Sequence, residues 1–369
     1  MGKRLIVPLL LGVLLLAACG SDDDAESQNT TRNTTANAAT PEATAAIQDE
    51  PTVSASVLDD VLAREMIRCG VQGELPGFGY IVEDNFTGLD TDFCRALAAA
   101  VLGDAAKVEF VEVSSQERFT ALQERRIDVL IRNTTWTLTR DTELGLDFGP
   151  ILFYDGQGVM VKRGSGIFTL DDLEGKKICV QPGTTTLPNI EEALSSLDIE
   201  YEIVLKDDLA AEVAGLDAGD CDASTTDRSA LIATQAVSAT PEDYFILDAV
   251  ISQEPLAPAY LESDPRWGNA IRWTIYGMIH AERLGMTSEN IDTFFGSGSP
   301  EIELLLGESG DMGQRLGLPN NFVVQAVQQV GSYAEIYDRN LGADSPIGLA
   351  RGINALWTAG GLLYAPPFR

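Results

Sequence analysis

Histidine is nearly absent from this chain, and basic residues are scarce. The 369 residues include one histidine, His280, and 25 lysines and arginines against 56 acidic residues, so the formal charge is −31 at pH 7. No C-x-x-C pair is present. These absences argue against a zinc site, against histidine-dependent nucleophilic catalysis and against nucleic-acid binding, and we expect no cofactor. We expect His280 to lie on the surface of a helix.

Long apolar runs are lacking outside the N-terminus, where the pattern is that of a bacterial lipoprotein. Lys3 and Arg4 precede an apolar run at residues 5–16, which is too short to span a bilayer as a folded helix. Leu-Ala-Ala-Cys at residues 16–19 then matches a lipobox. We expect a signal peptide at residues 1–18 and a lipid on Cys19 that anchors the chain to the bacterial cell membrane, on the periplasmic side or at the cell surface. The alternative is an ordinary signal peptide followed by a chance cysteine.

Large apolar residues are rare in the stretch that follows. Residues 19–56 are rich in serine, threonine, asparagine, alanine and aspartate, which predicts a flexible linker. The remaining body, residues 57–369, is long enough for one large domain or two lobes. Besides Cys19 the chain has four cysteines, Cys69, Cys94, Cys179 and Cys221. An even number in an exported chain favours two disulfides.

Strand and helix patterns alternate along the body in two series. The predicted strands are at residues 67–71, 107–113 and 127–131 in the first series and at 177–181, 201–205 and 222–226 in the second; the predicted helices are at 91–102, 188–197 and 208–218. Gly156 and Gly158 interrupt an apolar run between the series, which favours two lobes over one continuous doubly wound sheet. We place lobe 1 at residues 57–156 plus 263–369 and lobe 2 at 157–262.

A polar cluster follows the predicted strand at residues 127–131, in the segment "IRNTTWTLTR". In open α/β sheets, ligands bind at the carboxyl ends of strands. Arg140 offers a fork of donors that matches a carboxylate, and Thr135 can add a hydroxyl donor. The alternative is that Arg140 pairs with acidic neighbours on the surface.

Two further groups follow strands of the second series. In "QPGTTTLPN", Gly183 permits a tight turn, and Thr184 and Thr185 precede a helix whose N-terminus would favour an anion. Asp227 ends another strand and could hold an ammonium group. The alternatives are a helix cap without a ligand and, for Asp227, a cap or an ion pair with Arg228. Together these groups would form a receptor for a zwitterion if they face each other across a cleft.

The chain resembles the substrate-binding proteins of polar amino-acid ABC importers, and within them the general L-amino-acid-binding subgroup. The resemblance rests on "GFGYIVEDNFTGLDTDFCRALAAAVLGD", "ERFTALQERRIDVLIRNTTWTLTRDTELGLDF", "YDGQGVMV", "CVQPGTTT", "GMIHAERLGMTSENID" and "SPIGLARGINALWTAGGLLYAPPFR". It implies a type II periplasmic-binding-protein fold, in which two α/β lobes surround a ligand cleft. It further implies an L-amino acid ligand, ABC transporter permease subunits as partners, and a chain that binds its ligand without catalysis.

The resemblance also assigns roles to residues. Arg140 and Thr135 would hold the ligand carboxylate from lobe 1, with a backbone contact from Asn133. From lobe 2, the carboxylate would contact the turn at residues 183–185 (Gly183, Thr184 and Thr185), and Asp227 would take the amino group. An aromatic residue near Phe78 or Tyr80 would line the side-chain space.

Two lobes also constrain the disulfides and the hinge. Of the three possible pairings, Cys69–Cys94 with Cys179–Cys221 keeps each bridge inside one lobe, and we predict that pairing. We expect a hinge near residues 154–158, a return crossing near Glu262, and a monomer. The rival functions are an enzyme on the same fold, such as a cyclohexadienyl dehydratase, and a sensory binding protein that presents its ligand to a receptor.

Overall fold

The computed structural model describes residues 56–369. The predicted signal peptide (1–18), the predicted lipid site at Cys19 and the predicted linker as far as residue 55 lie outside the described residues. Ser56, the last residue of the predicted linker, caps the first helix through its side chain. Among the described helices, none combines the length and the apolar character that crossing a bilayer requires.

The described strands are short and occur in two groups along the chain. They are β1 (Ile67–Val71), β2 (Glu74–Leu75), β3 (Gly79–Val82), β4 (Asn85–Thr87), β5 (Val108–Glu112), β6 (Val129–Leu130), β7 (Leu146–Phe148), β8 (Phe153–Asp155), β9 (Gln157–Lys162), β10 (Lys176–Val180), β11 (Tyr201–Leu205), β12 (Ala223–Asp227), β13 (Tyr244–Ile246), β14 (Glu254–Leu256) and β15 (Ala259–Leu261).

The described helices lie between these strands and fill the C-terminal part. They are α1 (Val57–Arg64), α2 (Leu89–Leu102), α3 (Arg118–Gln123), α4 (Leu138–Glu143), α5 (Thr186–Ser196), α6 (Leu209–Ala218), α7 (Arg228–Val237), α8 (Pro265–Arg283), α9 (Pro300–Leu306), α10 (Met312–Leu316), α11 (Phe322–Gln329) and α12 (Tyr333–Asn340). Short 3-10 turns lie at Leu170–Leu173, Pro241–Asp243, Ile291–Phe294, Gly352–Asn354 and Trp357–Ala359.

Two five-stranded sheets confirm the predicted two-series α/β architecture. The first has the order β5-β1-β6-β15-β7 and the second the order β11-β10-β12-β9-β13. In each sheet one strand, β1 or β10, pairs in parallel with both of its neighbours, and the remaining pairs are antiparallel. A parallel pair needs a crossover, and α2 and α5 supply helices that pack on the sheets. Strands β1 and β11 have the predicted bounds.

The chain crosses between the two sheets twice, at one two-stranded ribbon. Strand β8 lies between the sheets on the outward path and pairs with β14 on the return path, with Tyr154 opposite Pro255. The return was expected near Glu262. The structure places it earlier, because Ala259 already pairs with Phe148 of the first sheet. A short apolar run has no periodicity that would assign it to one sheet or the other. The lobe boundaries at residues 156/157 and 262/263 remain a prediction.

The prediction for His280 was wrong, because this residue is buried within α8. Helices α1, α2, α11 and α12 all contact α8, so it has little solvent-facing surface. The His280 Nε2 atom lies 3.0 Å from Glu301 Oε1 and 2.8 Å from Arg283 Nη2. Burial lowers the pKa of His280, and the Arg283 charge adds to that effect. The residue packs in the helical layer far along the chain from the predicted site segments.

Both predicted disulfides are present. Cys69 of β1 bonds to Cys94 of α2, and Cys179 of β10 bonds to Cys221 just before β12. Each bridge therefore joins elements of a single sheet and its covering helices. Neither bridge restricts the ribbon between the sheets.

Removing one disulfide should destabilise the protein without changing its fold. The Cys69–Cys94 bridge closes a separation of 25 residues and Cys179–Cys221 one of 42. By the loop-entropy model, replacing both cysteines of either pair with serine should lower the free energy of unfolding by roughly 3–4 kcal/mol. Urea unfolding followed by circular dichroism measures this, and reduction of the wild-type protein is the control. A loss below about 1 kcal/mol for both pairs would contradict the entropic account.

Candidate functional site

A buried carboxylate holds the polar segment after β6 in a left-handed backbone conformation. Asn133 has a φ of 32°, and its backbone N–H donates to Asp90 Oδ2 at 2.8 Å. Asp90 lies in the first turn of α2, where burial raises its pKa to about 7 against the lowering effect of that hydrogen bond. The Asn133 side chain then accepts from Gln72 Nε2 at 2.7 Å and donates to Asp227 Oδ2 at 3.0 Å. Asn133 thus connects the two sheets.

Arg140 is buried, which sets aside the alternative of a surface ion pair. Its Nη1 donates to the backbone carbonyl of Thr135 at 2.7 Å. Its guanidinium carbon lies 5.1 Å from the centre of the Phe119 ring. Burial lowers the pKa of Arg140, while the negative charges of Glu254 and Asp227 raise it. The carbonyl and the ring together fix the direction of the guanidinium.

Two further buried arginines, Arg118 and Arg132, lie within reach of the Asp227 charge, and the sequence interpretation gave them no role. Arg118 opens α3, its guanidinium carbon lies 4.8 Å from the centre of the Phe119 ring, and its Nη2 donates to the carbonyl of Gly183 at 3.2 Å. Burial lowers the pKa of Arg118 well below its usual value, and the Arg140 charge adds to that. Burial lowers the pKa of Arg132 to about 10. In the sequence, Arg132 alone gave a hint of such a role, because it directly follows the apolar strand predicted at residues 127–131.

The threonine-rich turn of the second sheet has the predicted geometry. Gly183 has a φ of 75°, which a residue with a side chain adopts only under strain. Thr184 Oγ1 donates to the carbonyl of Gln181 at 2.7 Å, and α5 begins at Thr186 after Thr185. The first N–H groups of a helix have no partner within the helix, so this turn presents backbone donors.

Asp227 ends β12 and is buried at the junction of the two sheets. Burial raises its pKa well above the ordinary aspartate value, and the nearby charges of Asp155 and Glu254 raise it further. The Asn133 hydrogen bond and the Arg118 charge work in the opposite direction. The predicted alternative of a cap is not observed, because its side chain forms no capping hydrogen bond to α7. A carboxylate with raised pKa favours a cationic neighbour.

Glu254 is a site residue that sequence reasoning missed. It lies on β14, in the ribbon between the sheets, and is 2% exposed. Its Oε2 accepts from the hydroxyls of Thr135 at 2.6 Å and Thr185 at 2.9 Å. Its Oε1 accepts from Asn189 Nδ2 at 2.7 Å and Ser252 Oγ at 2.5 Å. One carboxylate therefore binds predicted site residues from both sheets.

Five of the seven predicted ligand-binding residues line one small cavity of about 40 Å³: Asn133, Thr135, Thr184, Thr185 and Asp227. The other two lie just behind the wall, because Arg140 donates to the Thr135 carbonyl and Gly183 accepts from Arg118. The aromatic residues considered for the wall do not line it. Phe78 packs instead against Phe153, with ring centres 5.3 Å apart, and Tyr80 is exposed. Trp136 stacks on Phe148 outside the cavity.

A family comparison decides what kind of protein carries this site. The model of the bacterial extracellular solute-binding proteins, family 3, matches residues 67–343. The chain belongs to this family. Family 3 membership fits the two sheets joined by a double crossing and the polar cavity between them.

Several relatives of this family 3 protein are similar over most of its length. It is 44% identical over 86% of its chain and 94% of the relative to the general L-amino acid-binding periplasmic protein AapJ of Rhizobium johnstonii. It is 45% identical over the same shares to the glutamate/glutamine/aspartate/asparagine-binding protein BztA of Rhodobacter capsulatus. A solved periplasmic binding protein from Brucella ovis, with glutathione bound, is 43% identical with a TM-score of 0.83, over 85% of this chain and 99% of that one.

The buried Asp90 should make stability depend on pH. Because its folded pKa is raised from 3.8 to about 7, the folded state keeps the proton to higher pH than the unfolded state. The free energy of unfolding should therefore fall as the pH rises between these values. Asp90→Asn keeps an acceptor for Asn133 but has no proton to lose. Between about pH 5 and pH 8 its free energy of unfolding should therefore rise by on the order of 2 kcal/mol relative to that of the wild type.

Urea unfolding at the two pH values measures this difference. Asp84→Asn, an exposed carboxyl on the β3–β4 turn, is the matched control and should not change the dependence. Parallel pH profiles of the wild type and Asp90→Asn would show that Asp90 titrates as an ordinary carboxyl.

Proposed function

We propose that this protein is an extracytoplasmic binding protein that captures L-amino acids and delivers them to the permease of an ABC transporter. One observation carries the proposal: buried groups of opposite charge come from different sheets, with Asp227 lining the cavity and Arg140 lying just behind its wall. Every α-amino acid has a carboxylate and an ammonium group, which are the partners that these side chains favour. The names of AapJ and BztA, both amino-acid-binding, support the same ligand class.

We assign the predicted residues to the two ends of the ligand. Arg140 and the backbone donors of the turn from Gly183 to Thr185 would hold the α-carboxylate. Asp227 would hold the α-ammonium. Asn133 and Thr135 would complete the wall on the side of the first sheet, since both line the cavity.

The space beyond the cavity supports a broad range of ligand side chains. A larger cavity of about 430 Å³ adjoins the first and shares part of its lining: Gln72, Leu75, Arg132, Gln181 and Leu209. A ligand held only at its α-carboxylate and α-ammonium can extend different side chains into such a space. AapJ is named as a general L-amino acid-binding protein, which fits this breadth.

The proposal includes two lobes that close on the ligand. The β8–β14 ribbon is the natural hinge, because the chain crosses between the sheets only there within residues 56–369. A ligand that binds Arg140 and Asp227 at once would favour the closed arrangement of the two lobes.

Attachment and location also belong to the proposal. Two disulfides fit an oxidising compartment outside the cytoplasm, and the relative AapJ is a periplasmic protein. The lipobox pattern supports anchoring of the monomer through a lipid on Cys19. Titration calorimetry of the purified body against a panel of L-amino acids tests the central proposal, and absence of binding to every member would refute it.

Removing either charge of the receptor should have a ligand-specific effect. Asp227→Asn should weaken the binding of an L-amino acid by about thirtyfold to several thousandfold, because a buried charge that loses its partner costs roughly 2–5 kcal/mol. The matching 2-hydroxy acid has no ammonium group, so its affinity should fall far less. Arg140→Lys should weaken both ligands, since a lysine cannot form the bidentate fork.

Titration calorimetry with both ligands measures these effects. Asp222→Asn is the matched control, because Asp222 is exposed just before the other end of β12. An unchanged affinity in Asp227→Asn would remove Asp227 from the ammonium site.

Binding should release protons. The pKa of Asp227 is raised well above 3.8 in the free protein, and an adjacent ammonium would lower it. Below the raised pKa, Asp227 must lose its proton before it pairs with the ligand. Affinity should therefore rise with pH above the ordinary aspartate value of 3.8, until the raised pKa is passed. Calorimetry across a series of pH values, each in two buffers of different ionisation enthalpy, counts the protons. Proton release should disappear in Asp227→Asn, and equal release in this variant would assign it to another group.

A further inference from the structure

The carboxylate of Glu254 determines where the hydroxyl protons of the site point. A carboxylate only accepts hydrogen bonds, whereas a threonine hydroxyl has one proton and two acceptor positions. Thr135 and Thr185 both donate to Glu254 Oε2, at 2.6 Å and 2.9 Å. Each hydroxyl therefore uses its only proton behind the cavity wall. Towards the cavity, which both residues line, each can offer only lone pairs.

The two oxygens are close enough to act on one ligand group. Thr135 Oγ1 and Thr185 Oγ1 are 3.5 Å apart, one from each side of the junction. Asp227 lines the same cavity and adds carboxylate oxygens, of which Oδ2 already accepts from Asn133. This gives three acceptor groups, and an ammonium group has three donors and no acceptor.

We propose that Glu254 is a positioning residue that turns Thr135 and Thr185 into acceptors for the ligand ammonium, beside Asp227. The proposal rests on the amino-acid-binding function proposed above. It changes the role expected of Thr135, from donor to the carboxylate to acceptor from the ammonium. The ligand carboxylate is then left to Arg140 and to the backbone donors that precede α5.

The neighbours of Glu254 determine which of its two oxygens an amide nitrogen would replace in a glutamine variant. Its Oε1 faces Nδ2 of Asn189 and the hydroxyl of Ser252, so this oxygen is held as an acceptor by a side-chain amide. Among the described residues, its Oε2 accepts hydrogen bonds only from the two threonine hydroxyls, each of which is free to reverse. In Glu254→Gln, the new amide nitrogen should therefore occupy the Oε2 position and donate to both threonines. Their protons would then turn towards the cavity, where they repel an ammonium.

The test compares two ligands that differ only at this group, L-glutamate and L-2-hydroxyglutarate. Titration calorimetry, by competition where binding is weak, gives the affinity of wild type and Glu254→Gln for each. The wild type should prefer glutamate. In Glu254→Gln, that preference should fall by about tenfold or more, because only the ammonium loses acceptors.

Equal weakening of both ligands by Glu254→Gln would overturn the proposal, since Glu254 would then only brace the ribbon. A wild type that binds no amino acid in the panel would instead refute the proposed function itself.

A second pair of variants decides the question if Glu254→Gln does not fold. Thr135→Val keeps the shape and removes the oxygen, so it should lower the preference for glutamate by about tenfold. Thr135→Ser keeps the hydroxyl and should retain the preference. If Thr135→Val weakens the binding of glutamate and of hydroxyglutarate by the same factor, Thr135 does not accept a hydrogen bond from the ammonium, and the proposal fails.

Discussion

The need to balance several buried charges at the junction of the two sheets governs this structure. A charged group that leaves water costs several kcal/mol unless it is paired or hydrogen-bonded, by the order of magnitude that applies to buried ions. Here Asp227 and Glu254 lie buried within reach of Arg118 and Arg140. Asp227 and Arg118 each form a hydrogen bond with the opposite side, and Glu254 on the ribbon accepts from both sides. The same constraint gives the cavity a negative and a positive side, which is the polarity of an amino acid.

The fold explains why these charges meet. In each sheet the site residues follow the carboxyl ends of strands, at β6 in the first and at β10 and β12 in the second. The β8–β14 ribbon brings these ends together, and Glu254 on that ribbon bonds to both sides. The disulfides lie within the separate bodies and leave the ribbon unconstrained. Family 3 membership and the similarity to AapJ and BztA agree with a site built for the groups that all amino acids share.

The sequence predicted the parts of this arrangement that depend on local pattern. Arg140 comes after the apolar strand β6 and Asp227 ends β12, and a strand's carboxyl end is a position where polar side chains are informative. Glu254 could not be predicted in the same way, because an isolated acid in "SQEPLAPA" reads as a surface residue. Its role comes from a crossing that only the three-dimensional pairing reveals. The prediction that His280 lies on a helix surface was wrong for a similar reason. An amphipathic pattern does not show that a helix is covered on several sides.

The central claim is that one ligand joins groups from two lobes that hinge at the β8–β14 ribbon. Small-angle X-ray scattering of the soluble body, with and without a saturating L-amino acid identified by calorimetry, tests this claim most directly. The account predicts a smaller radius of gyration with the ligand, because a ligand that binds Arg140 and Asp227 at once favours the closed arrangement of the two lobes. An unchanged radius at saturation would show that the site does not depend on lobe closure and would contradict the account.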